Sequence, residues 1–319
     1  MSASACGMPS GELARARHPG YLPGMSGSMQ GKTVLITGGN SGIGKFTAIG
    51  LAKQGAKVVF TSRSQRKGDV ARAEIREAAN TQQVEFMMLD LADFASIERF
   101  AAEFLAKHER LDVLVLNAGL VLDQRSTTKQ GFETTFGVNH LGHMFLTELL
   151  LDRVKASAPA RIVVLSSAAH KGARAGLDFD DLNAERKYSG WIAYCQSKLA
   201  NILFTRALAK RLAGSRVTVN AVHPGLVASG FAAADDVHGL LSRIGMAIMR
   251  PFSLSSEKGA RTSIWLASAP ELEGQSGGYY ARCKPASLTK AAKDDAAAER
   301  LWTVSEQLMK REHFIPATT

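Results

Sequence analysis

Lys32-Thr33-Val34-Leu35-Ile36-Thr37-Gly38-Gly39-Asn40-Ser41-Gly42-Ile43-Gly44 passes directly from an apolar run into a turn rich in glycine. The run from Lys32 to Thr37 predicts a short buried strand, and Lys45 to Gln54 predicts a helix. Glycine has no Cβ to hold a ligand away from the backbone N–H groups of such a turn, and the helix N-terminus adds partial positive charge at the same point. The number and spacing of the glycines favour a cradle for the pyrophosphate of a dinucleotide over a tight connection that binds nothing.

Outward from this stretch, strands and helices alternate. Strands are expected at Ala56 to Thr61, Val84 to Leu89, Asp112 to Leu116, Arg161 to Leu165 and Arg216 to Val222. Helices are expected at Lys67 to Ala79, Phe94 to Lys107, along most of Phe132 to Ala156, and at Gly190 to Leu212. The pattern predicts one α/β domain, residues 31–319: a Rossmann-type, doubly wound parallel sheet of about seven strands with helices on both faces. Ligands in such folds sit beyond the carboxyl ends of the strands, where Gly38, Arg63, Asp90, Asn117, Ser167 and Pro224 stand. Residues 226–256 break the alternation, and their apolar Leu240, Leu241, Ile244, Ile248 and Met249 suit either a small helical lid over an apolar substrate or an accessory helix packed permanently on the domain.

Composition narrows the class. The chain has 319 residues, of which 45% are hydrophobic, enough for a substantial core. Three dispersed cysteines form neither a disulfide framework nor a metal-ligand pattern, which fits a reducing cytoplasmic compartment. No apolar stretch is long enough to span a bilayer. The net charge of +10 comes from Lys and Arg scattered along helices, so nucleic acid is not the expected partner; a basic field suits a phosphorylated cofactor. Residues 1–30, rich in Gly, Ser, Pro and Ala, read as a disordered extension, with Met25 and Met29 as alternative starts.

The chemistry is written at Tyr194-Cys195-Gln196-Ser197-Lys198. Positions i and i+4 share a helix face, so the Lys198 ammonium can stabilise the Tyr194 phenolate and bring its pKa down toward the working range of an acid or base. Cys195 is rotated away on the same helix and reads as core. His140, His143, His170 and His223 lack metal-ligand spacing and read as structural, and no metal is expected.

With Asn117-Ala118-Gly119 between these two motifs, the chain resembles the classical short-chain dehydrogenases/reductases over roughly residues 31 to 313. It is most similar to their retinol dehydrogenase branch through Gly137-Val138-Asn139-His140-Leu141-Gly142-His143, Ser166-Ser167-Ala168-Ala169-His170, His223-Pro224-Gly225 and the tail Arg300-Leu301-Trp302-Thr303-Val304-Ser305-Glu306. The resemblance implies a catalytic group of Asn139, Ser167, Tyr194 and Lys198. Tyr194 is the acid or base, Lys198 lowers its pKa and holds the cofactor ribose, and Ser167 positions the carbonyl oxygen. Ser167 is chosen over Ser166 because neighbouring side chains at a strand end face opposite ways and the family motif uses the second serine. The Asn139 carbonyl is implied to hold a water that relays protons from Lys198; a bond within a bent helix is its alternative role.

For the cofactor, the resemblance implies the turn Gly38, Asn40, Ser41, Gly42, Ile43 and Gly44, together with Asp90 and Leu91 at the adenine, and Asn117, Ala118 and Gly119 by the adenine ribose. Pro224 and Gly225 are implied to shape the nicotinamide pocket, with Ser229 near the nicotinamide and phosphates. The second strand ends Thr61-Ser62-Arg63, with a guanidinium where NAD-specific folds place a carboxylate, so NADP(H) is expected over NAD(H). The expected activity is NADP(H)-dependent interconversion of an alcohol with its aldehyde or ketone, on a small apolar substrate. A redox sensor or scaffold that binds NADP(H) with little turnover is the rival, and a double-bond reductase is a third reading. The family also pairs the helices around residues 130 to 156 and 190 to 212 across dimers, which implies a homodimer or homotetramer. Many animal members of the branch begin with a hydrophobic anchor that this chain lacks, which speaks against retinol as its substrate.

Overall fold

Residues 28–225 and 255–313 are described by the computed structural model. The alternation runs β1 (Thr33–Ile36), α1 (Gly42–Lys53), β2 (Lys57–Ser62), α2 (Gln65–Ala79), β3 (Val84–Met88), α3 (Phe94–Lys107) and β4 (Val113–Leu116). It continues through α4 (Gly142–Ala156), β5 (Ala160–Leu165), α5 (Gly190–Arg211), β6 (Val217–His223), α6 (Ser256–Ser268), β7 (Tyr279–Ala281), β8 (Lys284–Pro285) and α7 (Asp295–His313). The sheet order is β3-β2-β1-β4-β5-β6-β7-β8. Seven strands are parallel, as the sequence suggests, and the two-residue β8 adds an antiparallel edge. The order reverses between β1 and β4, where a crevice opens at the carboxyl ends.

Each strand feeds two cores because successive side chains leave opposite faces. Leu35, Leu114, Leu116, Ile162 and Val164 join α3, α4 and α5 on one side. Val34, Ile36, Val113, Val115 and Val163 join α1, α2 and α6 on the other. Full burial of such a side chain contributes about 1.5–3 kcal/mol. Helix α3 shows how the sequence specifies an element. Phe94, Ile97, Phe100, Ala101 and Phe104 form one buried stripe, and the Asp93 carboxylate caps the helix by accepting from the Ala95 N–H at 3.1 Å. At the opposite end of the sheet, Asp112 accepts from the Thr33 N–H at 2.9 Å, Lys32 Nζ at 3.0 Å and Arg110 at 2.6 Å, pinning β1 to β4. Burial works to raise its pKa, but these donors outweigh that and hold the carboxyl below its usual range.

Two expectations change, and two parts of the fold appear that the sequence reading did not place. The helix expected from Phe132 begins only at Thr134 and is interrupted by a π turn, Gly137–Leu141, before α4. Met29, expected in the disordered extension, is buried, and its N–H donates to Gln54 O at 3.0 Å. Helix α7 lies across α5: Trp302 stacks on Phe204 at 5.9 Å, Arg211 lies 4.1 Å over the Trp302 ring, and Arg206 and Lys210 pair with Asp295. Strands β7 and β8 are too short for any periodicity to announce them. Of the lid region 226–256, residues 226–254 lie outside the described residues, as do residues 1–27. Among the described residues no helix is long and apolar enough to cross a membrane.

Phe104 is fully buried between Phe100 and His108. Phe104→Ala is expected to lower unfolding stability by about 3–5 kcal/mol, read from the midpoint of urea denaturation. A midpoint equal to that of the parent would contradict this packing.

Candidate active site

Thr37 follows β1, and its hydroxyl organises the loops around it. It accepts from the Asn117 and Ala118 N–H groups at 2.9 and 3.0 Å. The Asn117 amide donates to Thr37 O at 2.8 Å and Gly38 O at 3.3 Å, so the glycine turn and the loop after β4 are one unit. Gly38 has φ +66° and lies so close to Ala118 that a Cβ there would sit 3.0 Å from its Cα; a Cβ on Gly44 would collide with Gly38 O and the Asn117 amide. Only glycine lets the turn wind this tightly. Ser41, at the N-cap of α1, makes no side-chain capping bond and no acid occupies the first turn, which leaves that turn's N–H donors for an anion.

A cleft of about 290 Å³ opens here. Gly38, Asn40, Ser41, Gly42, Ile43 and Gly44 line its floor; Arg63 and Lys67 line the β2 end; Asp90 and Leu91 follow β3; Asn117, Ala118 and Gly119 follow β4. The cleft thus gathers every cofactor residue expected between Gly38 and Gly119. Asn117 Oδ1 is buried with no hydrogen-bond partner among the described residues, an acceptor available to a ligand hydroxyl. The donor-rich floor, the cationic end and this acceptor fit a phosphorylated dinucleotide. Lys67 was not singled out in the sequence, although it stands four residues after Arg63 where α2 begins. Ser229 lies outside the described residues.

The four expected catalytic positions converge where β5 ends. Ser167 follows β5, and its hydroxyl is near enough to the Tyr194 phenol to oppose the rise in pKa that burial gives it. Ser166 faces the other way, donating to Lys198 O at 2.8 Å. Lys198 is 1% exposed; its Nζ donates to Leu165 O at 3.1 Å and lies 5.5 Å from the Tyr194 ring centroid. Leu165 lines the cleft, so the pair adjoins it. The Asn139 amide accepts from Leu120 N at 2.8 Å and donates to Leu120 O at 2.9 Å and Ser197 Oγ at 3.0 Å. Asn139 sits within the π turn, and π turns recur at functional sites. The Pro224-Gly225 turn is held beside Ser167, because His223 Nδ1 accepts from Ala168 N at 3.2 Å and Gly225 N at 3.4 Å.

Electrostatics correct one expectation. Burial raises the Tyr194 phenol to about 12, with Ser167 opposing, and lowers the Lys198 ammonium to about 7. Desolvation outweighs the attraction that the i, i+4 spacing suggests, since both groups have left water and the Nζ bonds the Leu165 carbonyl. Cys195 is fully buried in the core. His143 is more than packing: it bridges Thr37 Oγ1 at 2.9 Å and Asn139 O at 3.1 Å, a connection that its place four residues after Asn139 could have suggested.

The family model for short chain dehydrogenases matches residues 32–179 and 181–237. This chain is a short-chain dehydrogenase. Human retinol dehydrogenase 12 is 47% identical over 281 residues, covering 88% of this chain and 87% of that protein. An uncharacterised protein from Mycobacterium paratuberculosis has a crystal structure similar at TM-score 0.71 and 37% identity, covering 89% of this chain and 96% of that one. The Pseudomonas aeruginosa RhlG/NADP active-site complex matches at TM-score 0.64 and 25% identity, covering 82% and 98%. The short-chain dehydrogenase described here belongs to the retinol dehydrogenase-like branch and is an oxidoreductase acting on CH–OH groups, interconverting alcohol and aldehyde.

Burial lowers His140 to about 3, and His143 and His223 to about 4, from 6.5. As pH falls below 6.5 the unfolded chain binds protons that the folded dehydrogenase refuses, so stability is complete above that value and is lost as pH drops through the window toward 4. Thermal unfolding at about pH 5 is expected at a lower midpoint than at about pH 7.5. Equal midpoints would contradict the buried, neutral histidines.

Proposed function

We propose that this dehydrogenase uses NADP(H) to interconvert apolar alcohols with their aldehydes or ketones, with Tyr194 as the acid or base. The carrying observation is the convergence of Ser167, Tyr194 and Lys198 beside the cleft, with Lys198 Nζ 5.5 Å from the Tyr194 ring centroid and bonded to the carbonyl of the cleft-lining Leu165. A bound nicotinamide supplies hydride to the carbonyl carbon; the chain supplies the proton and the alignment. Tyr194, kept protonated by burial, donates its phenolic proton to the carbonyl oxygen during reduction. Ser167 donates a hydrogen bond to the same oxygen and stabilises the charge that develops there, at no cost of reorientation. Lys198, with a pKa near 7, passes a proton back toward the phenolate, and the Asn139 carbonyl holds the water of that relay. Oxidation runs these transfers in reverse.

Arg63 and Lys67 support NADP(H). Both line the cleft at the end of β2, where Thr61, Ser62 and Ser64 complete the lining and no carboxylate follows the strand. Two cations suit a 2′-phosphate, and a 2′-hydroxyl needs neither. An apolar substrate is supported by Trp191 and Ile192, 59% and 49% exposed in the first turn of α5, with the Trp191 ring 6.2 Å from that of Tyr194. Trp191 precedes Tyr194 by three residues, so the two rings share a helix face at the point of chemistry.

Tyr194→Phe is expected to abolish NADPH oxidation across a panel of apolar aldehydes and ketones while NADPH affinity stays within about threefold. Lost cofactor binding in that variant, or retained turnover, would remove the role given to Tyr194. Arg63→Asp is expected to weaken NADPH by about tenfold or more and NADH far less, measured by fluorescence titration. Equal weakening of both cofactors would overturn the 2′-phosphate assignment. Tight NADPH binding with no turnover on any carbonyl would shift the reading to a redox sensor.

A further inference from the structure

A closed ring of hydrogen bonds joins the glycine turn to Asn139 through His143. The Asn139 carbonyl can only accept, so His143 Nδ1 carries the ring proton and donates it at 3.1 Å. His143 Nε2 then has only a lone pair, and the Thr37 hydroxyl donates to it at 2.9 Å. With its proton committed, the Thr37 oxygen accepts from Asn117 N and Ala118 N, and the same hydroxyl lies farther, at 3.4 Å, from Val115 O. From Asn117 the chain runs to Leu120, whose N–H and C=O are both held by the Asn139 amide. That closes the circuit on Asn139. Every bond in it is buried or partly buried, and His143 itself is 2% exposed.

We infer that His143 is a positioning residue that locks the main chain of Asn139 to the cofactor cradle, so that the proton relay and the dinucleotide floor keep one fixed geometry. The role needs one donor and one acceptor on a single rigid, uncharged ring, which neutral imidazole supplies and an apolar side chain of similar volume does not. Two amides outside His143, those of Ala118 and Leu120, depend on the ring for their acceptors, whereas the Asn117 N–H is shared between Thr37 Oγ1 and Val115 O. The catalytic consequence rests on the reductase reading above; the lock itself does not.

The test compares parent, His143→Leu and His143→Gln by amide hydrogen exchange on the full chain without added cofactor, and by steady-state kinetics with saturating NADPH. In His143→Leu the amides of Ala118 and Leu120 are expected to exchange about tenfold faster or more, while β3 and α2 are unchanged. His143→Gln keeps a donor and an acceptor and is expected to restore exchange to within about threefold. If His143→Leu does not fold, Thr37→Val cuts the ring at its other end and is expected to speed exchange at Leu120, which Thr37 does not touch. In kinetics, kcat of the Leu variant is expected to fall about tenfold or more with the carbonyl KM within about twofold. Unchanged exchange at Leu120 in a folded His143→Leu or Thr37→Val variant, or a Gln variant no better than Leu, would overturn the lock. Faster exchange in His143→Leu, together with a parent protein that turns over no carbonyl, would sink the reductase reading and leave the lock standing. Unchanged exchange alongside Tyr194-dependent turnover would do the opposite.

Discussion

Everything at this site depends on β1 having β2 on one side and β4 on the other. Crossovers from neighbouring strands leave in opposite directions there, so no helix covers the carboxyl ends and a cleft remains. Parallel pairing aligns those ends, which puts Thr37, Arg63, Asp90 and Asn117 on one rim. Asp112 fastens β1 to β4 at the amino ends and Thr37 fastens the loops at the carboxyl ends. The gap between the two strands is therefore fixed from both sides.

The fold was legible wherever one residue pattern served one local cause. Helix α3 begins and ends where its apolar stripe and Asp93 cap place it, and the glycine turn announced both its shape and its ligand. The long helix beyond Phe132 was misjudged because its periodicity is sound; within the π turn that interrupts it Asn139 pairs with Leu120, 19 residues earlier, a contact that no window of sequence displays. The same holds for β7 and β8. Three residues beside Val222 and His223 become a strand only because β6 offers them a ladder.

Residue identities at the site were easier to read than their energetics. Tyr194, Lys198 and Ser167 come together as motif spacing suggested, yet spacing implies attraction between charge and phenol, whereas burial dominates and drives their proton affinities toward neutral forms. Burial is a property of the assembled neighbourhood, so it could not be read from a tetrad of positions. His143 was undervalued for a related reason. A histidine without metal-ligand spacing is most often packing, and its Thr37 partner, 106 residues away, is revealed only when β1 and the π turn meet.

The ring through His143 has a consequence for how the molecule is made. Thr37 and His143 are separated by 106 residues, Thr37 and Asn117 by 80, and Asn139 and Ser197 by 58. Closing such long loops costs chain entropy that is recovered only when the parallel strands between them have paired, a slow and non-local step. The complete cleft therefore exists only once those strands have paired. A ligand of this cleft can recognise only finished molecules, so it adds its binding free energy to the native state alone and draws newly made chains toward completion.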